Sequence, residues 1–162
     1  MFWVIAAIVV AGLIVASAIK SSVREANMTP EQRVAVYQAQ QAIDASKNAQ
    51  ELCNTIYLLS RKGKTNHQIA SNVIVHKYAN ALGIDITGEE TILELKRDKN
   101  FLVALGLFDK FKALAVSGTS DKKIAGKLYR EFDILAVSVY TPEDIAYMRK
   151  HILGHNVKGL EG

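Results

Sequence analysis

The sequence predicts an all-α protein: an N-terminal transmembrane helix followed by a long helix and a small helical bundle. Three observations predict it. No charged side chain occurs from Phe2 to Ile19, helix-capping and helix-stopping signals divide the rest of the chain, and the apolar residues recur at three- and four-residue steps. A long alternating run that would mark a strand is missing from the sequence, and Ile134 to Tyr140 is the one β-branched candidate. The expected division is an anchor over 1–26, a long amphipathic helix over 29–63 and a small helical domain over 64–162.

As a helix, the uncharged run Phe2 to Ile19 would measure roughly 27 Å, against a hydrocarbon core of about 30 Å. Its candidate membrane contacts are Phe2, Trp3, Ile5, Ile8, Val9, Leu13 and Ile14. The competing reading is a cleaved secretory signal, because Ala16-Ser17-Ala18 imitates a cleavage site. Such signals open on a positive segment, however, and no Lys or Arg precedes Lys20. Trp3 stands where an interfacial aromatic belongs, and Lys20 and Arg24 follow the run, so the charge asymmetry places the C-terminal body on the cytoplasmic side of a single-pass membrane protein. Ala7-x-x-x-Ala11 and Gly12-x-x-x-Ala16 give the run the small-residue spacing that lets helices approach closely, and Gly12 and Ala16 are its candidate packing positions.

Thr29-Pro30-Glu31-Gln32 combines an N-cap, a proline at the first helical position and a capping-box partner. The helix it opens is expected to run to Lys62, before Gly63. Thr65 restarts a helix expected to end near Gly83, Thr87 a short one reaching Asp98, and Asn100 to Ser117 an apolar one stopped by Gly118. Ser120 caps a helix to about Val137, and Thr141-Pro142 opens the last, ending near Gly154. Thr65, Ser120 and Thr141 share the form in which Ile-Ala follows four residues after the cap.

On the long helix, Ala35, Ala39, Ala42, Ser46, Ala49, Cys53 and Ile56 follow alternating steps of four and three, a heptad seam of small residues that admits a close partner helix. Val36, Ile43, Leu52 and Leu59 are expected to form a bulkier stripe beside it. The helix over 100–117 is apolar around most of its circumference and needs cover on nearly all sides. Asp109, Lys110 and Lys112 argue against a second membrane span there and for the centre of a soluble bundle.

Residues 49% hydrophobic and 22% charged exclude a disordered chain, and a net charge of +4 spread among acids supports only weak attraction to anionic surfaces. The lone Cys53 excludes an intrachain disulfide. No phosphate-binding loop, dinucleotide fingerprint or serine elbow occurs, so the expectation is a non-enzymatic protein without a cofactor. His151 and His155 have metal-ligand spacing, but Gly154 interrupts the turn between them. Arg61, Lys62 and Lys64 form the densest basic cluster and are the candidate anion contacts; nucleic acid is expected to be met non-specifically at most.

Met1-Phe2-Trp3 opening directly into Val-Ile-Ala-Ala-Ile-Val-Val, followed by an alanine-rich helix with Gln38, Gln40 and Gln41, resembles the internal virion proteins of tailed phages over about the first fifty residues. That resemblance implies packaging with the genome and a part in a DNA-ejection channel, with a virion as the alternative location. The expected function is a membrane-anchored structural or assembly protein that binds lipid and other protein subunits. The alternatives are the ejection component and a membrane-tethered enzyme with an unfamiliar site.

Overall fold

Thr29, Thr65 and Thr141 each open a helix through the same reciprocal pair of hydrogen bonds. In the computed structural model, which describes residues 28–135 and 137–154, Thr29 Oγ1 accepts the Gln32 N–H at 3.3 Å while Gln32 Oε1 accepts the Thr29 N–H at 2.9 Å. Two of the orphan donors of a helix start are thereby satisfied. Helix α1, Pro30–Arg61, ends as it should: Gly63 takes φ +77°, its N–H donates to Ser60 O, and the Lys64 N–H reaches back to Leu59 O. Those are the paired bonds of a Schellman stop, and the left-handed residue they need is glycine.

Seven shorter helices follow: α2 Asn66–Ala70, α3 Val73–Ala81, α4 Glu89–Arg97, α5 Lys99–Ala104, α6 Phe108–Val116, α7 Asp121–Lys127 and α8 Pro142–Leu153. The described residues are thus all-helical, and none of their helices is long and apolar enough to cross a membrane. The expected anchor over 1–26, with Phe2, Trp3, Ile5, Ile8, Val9, Gly12, Leu13, Ile14 and Ala16, lies outside the described residues.

Three expected helices are shorter than their sequence pattern suggests. The one from Thr65 to Gly83 breaks at Ser71-Asn72, because Asn72 Oδ1 accepts the N–H groups of Ile74 (3.0 Å) and Val75 (3.3 Å) and starts α3 afresh. His76 Nε2 pairs with Ala70 O at 2.7 Å across the corner. The apolar stretch 100–117 is divided by Gly106 at φ +69°, where Gly106 N–H donates to Val103 O and Leu107 N–H to Leu102 O. A straight helix would have to be covered all round, whereas the turn sends Phe101, Leu102, Leu105, Leu107 and Phe111 into one core. The helix from Ser120 ends at Lys127, ten residues before the expected Val137, and residues 128–135 and 137–141 form neither helix nor strand.

The Ile that follows each shared cap points inward: Ile69, Ile124 and Ile145 are all fully buried. They join Leu52, Ile56, Tyr57, Ile92, Leu102, Phe111 and Met148 in a contiguous core. The C-terminal part of α1 packs on α3 and also meets α2, α4 and α5; α2 packs on α4, and α7 on α8. α1 is therefore the helix on which α2 to α5 are assembled, while α8 packs on α7 and α4.

Candidate assembly surface

One face of α1 is apolar along its length, but the body covers only its C-terminal part. Ala49, Cys53 and Ile56 of the small-residue seam are buried in the core. Ala35 is exposed, and Ala39, Ala42 and Ser46 are only half-shielded, as residues on a helix without a neighbour are. Every residue from Glu31 to Gln38 is exposed, including Val34, Val36 and Tyr37. At about 100° per residue, Arg33, Gln40, Asp44, Lys47 and Glu51 all fall opposite the seam. Gln40 Nε2 donates to Asp44 Oδ1 at 3.0 Å there, one turn apart on the wet side. Glu31, in the first turn, is the acidic exception on the seam side, where the helix start favours negative charge.

The bulkier stripe resolves into two flanks. The step of nine from Ile43 to Leu52 rotates the chain by about 180°, so Val36 and Ile43 lie on one side of the seam and Leu52 and Leu59 on the other. Val34 shares the Leu52 flank, which the core clothes at Leu52 and leaves bare at Val34. The uncovered length thus continues two surfaces that are core further along the same helix.

The basic cluster divides as well. Lys62 and Lys64 are exposed, but Arg61 is buried: its Nε donates to Asp133 Oδ2 at 2.8 Å and its Nη1 to Val137 O. Arg61 therefore spends its charge inside the protein, and Lys62 and Lys64 stand as the surface cations. Tyr57 Oη donates to the same Asp133 oxygen at 2.8 Å, and Arg130 lies over the Tyr57 ring, 4.5 Å from its centroid. This knot was not legible in local patterns, because Asp133 is separated from Arg61 by 72 residues.

The chain has no match among the known families, proteins or solved structures compared. The reading consequently rests on the surfaces themselves. Two open clefts accompany the α1 face. One of about 450 Å³ is lined by Glu94, Arg97, Asp98, Lys99, Tyr147, His151 and Ile152. Its central groups engage one another: Arg97 pairs with Asp144 at 2.7 Å and covers the Tyr147 ring, which stacks on His151 with centroids 4.1 Å apart. The other, about 610 Å³, lies beside Leu59, Lys64, His67, Asn72, Val73 and Ile74. Cys53 sits in the buried seam, where burial first and the Asp98 charge second push its thiol up to about 12, far from a thiolate nucleophile. Among the described residues no three His, Cys, Asp or Glu side chains gather as a metal site.

Proposed function

We propose that the protein is a non-enzymatic, membrane-anchored assembly protein in which the apolar run Phe2 to Ile19 enters lipid and the N-terminal half of α1 pairs with a second copy of itself. The observation that carries this reading is the continuity of the α1 seam, which is core from Ala49 onward, exposed at Ala35 and only half-shielded at Ala39, Ala42 and Ser46. Ala35, Ala39, Ala42 and Ser46 keep the close-approach spacing, and the charges stay on the opposite side. A helix segment that continues a buried face into solvent leaves apolar area open that association removes.

The test is the mass of the full chain in detergent micelles, measured by sedimentation with and without the double substitution Ala39→Glu and Ala42→Glu. The expected result is an oligomer for the parent and a monomer for the variant, with equal far-ultraviolet circular dichroism. A monomeric parent, or a variant of unchanged mass, overturns the pairing.

A further inference from the structure

The most exposed apolar side chains of the described residues do not lie on α1 but at its far end. Phe132 is 95% exposed and Ile134 96%, in the irregular segment after α7. Asp133 between them is drawn inward, its side chain only 7% exposed, by Arg61 and Tyr57. Its Oδ1 also accepts the Leu135 N–H at 3.1 Å, its own N–H donates to Arg130 O at 3.0 Å, and the Arg130 N–H donates to Tyr57 Oη, so the backbone is held before Phe132 and after Ile134. Their exposure is therefore a built feature of the loop, in which an anchored carboxylate turns its two neighbours outward.

More apolar surface rings the same end of α1. Val137 packs 3.7 Å from where a Cβ of Gly63 would stand, and Tyr129 lies under Arg61 and Lys110. On the other side of Lys64, Val73 and Ile74 are also exposed. The charges among these groups are predominantly positive. Lys62, Lys64 and Lys127 are exposed, and Lys110 and Arg130 partly so, against the exposed acids Glu131 and Asp109, because Arg61 neutralises Asp133. Bulky apolar tips set among lysines match the boundary of an anionic bilayer, where the side chains enter the acyl region and the ammonium groups meet lipid phosphates.

We infer that the Phe132–Ile134 loop, with Lys62 and Lys64, is a second membrane-contact site that docks on an anionic lipid surface. This inference builds on the anchoring proposed for Phe2 to Ile19 and adds an orientation. α1 is about 48 Å long, its N-terminus is the end nearer the anchor in sequence, and the loop lies at its C-terminus. With the ten residues 20–29 spanning at most about 35 Å between the anchor and α1, contact at both ends keeps α1 from standing upright on the bilayer and tilts it toward the surface.

The test uses the full chain with Ile134→Cys carrying an environment-sensitive NBD label, Cys53 being buried, mixed with vesicles of phosphatidylcholine alone or with phosphatidylglycerol. Flotation reads the anchor; NBD emission and its quenching by spin-labelled acyl chains read the loop. The expected result is blue-shifted, quenched emission on the anionic vesicles. Lys62→Glu and Lys64→Glu should each weaken loop partitioning about fivefold or more, while Phe132→Ser should cut it further with flotation retained. A chain that floats while the label stays wetted overturns the loop contact and leaves the anchor standing. Failure to float with phosphatidylcholine vesicles, with the label quenched on the anionic ones, supports the loop and removes the anchor. A blue shift that depends on protein concentration without lipid assigns the loop to contact between copies and overturns the inference.

Discussion

Tyr57 and Asp133, 76 residues apart, are joined by a hydrogen bond of 2.8 Å that ends on the carboxylate oxygen also used by Arg61. The bond fastens the irregular segment after α7 to the C-terminal end of α1. Its loss should be graded by charge. Tyr57→Phe removes two hydrogen bonds, the one donated to Asp133 and the one accepted from the Arg130 N–H at 3.3 Å, and should cost about 1–2 kcal/mol, whereas Asp133→Ala leaves the buried Arg61 guanidinium without its counter-ion and should cost about 3 kcal/mol. Urea unfolding of both variants decides the matter: equal losses would show that the ion pair contributes nothing beyond the phenol.

The same knot fixes a pH profile. Burial works to raise the Asp133 carboxyl, but hydrogen bonds from Tyr57 and the Leu135 N–H together with the Arg61 charge outweigh it, and the group lies below its ordinary range. Its stabilising effect is therefore complete above about pH 4 and is lost as the pH falls through the lowered value. The Tyr57 phenol is raised, first by burial and then by its bond to Asp133, so its effect is complete below about pH 10 and is lost as the pH climbs through the raised value. Thermal melts from pH 2 to 11 should show a plateau bounded on both sides. Tyr57→Phe should shrink both edges: the acid one loses the largest contribution that lowers Asp133, and the alkaline one is left to Tyr140 and Cys53, which burial also raises.

Cys53 should report opening of the body. Its thiol is buried and pushed up to about 12, so at pH 8 the native chain should resist an aromatic disulfide reagent. Labelling should proceed at the rate at which α1 detaches from the core, slowed at least about a hundredfold relative to the urea-unfolded chain. Rapid native labelling would mean that the seam around Ala49 and Cys53 is open to solvent.

What could be read from the sequence depended on whether the signal was local. The caps at Thr29, Thr65 and Thr141 were legible because three or four consecutive residues make all their bonds. The α1 seam was legible for the same reason, being a periodicity within one helix. Its division into covered and bare lengths was not, because the cover comes from α3, α4 and α5, elsewhere in the chain. The break at Asn72 carried a readable sign, an N-cap residue before Val73, but the apolar continuation masked it. Gly106 likewise ends α5 in a way that its all-apolar surroundings concealed. Arg61 looked like a surface cation because its partners Asp133 and Val137 are distant in sequence.

Arg149 on α8 supplies the last and most discriminating test of the body. Its Nη1 donates to Ala115 O at 2.7 Å and its Nη2 to Thr119 O at 2.8 Å, carbonyls at and just beyond the end of α6. The same guanidinium meets Asp121 Oδ1 through Nη2 at 2.7 Å and Nε at 3.1 Å, in the first turn of α7. One planar group thus caps one helix end, pairs with the start of the next and ties both to α8. Lys cannot reproduce that fork from a single ammonium, so Arg149→Lys should cost about 2–3 kcal/mol despite keeping the charge. Asp121→Asn should cost about 1 kcal/mol, because the Asp121 side chain is 19% exposed and Arg149 retains both carbonyls. The ordering follows from geometry. If charge alone held the junction, Arg149→Lys would be nearly silent in urea unfolding and Asp121→Asn the more damaging of the two.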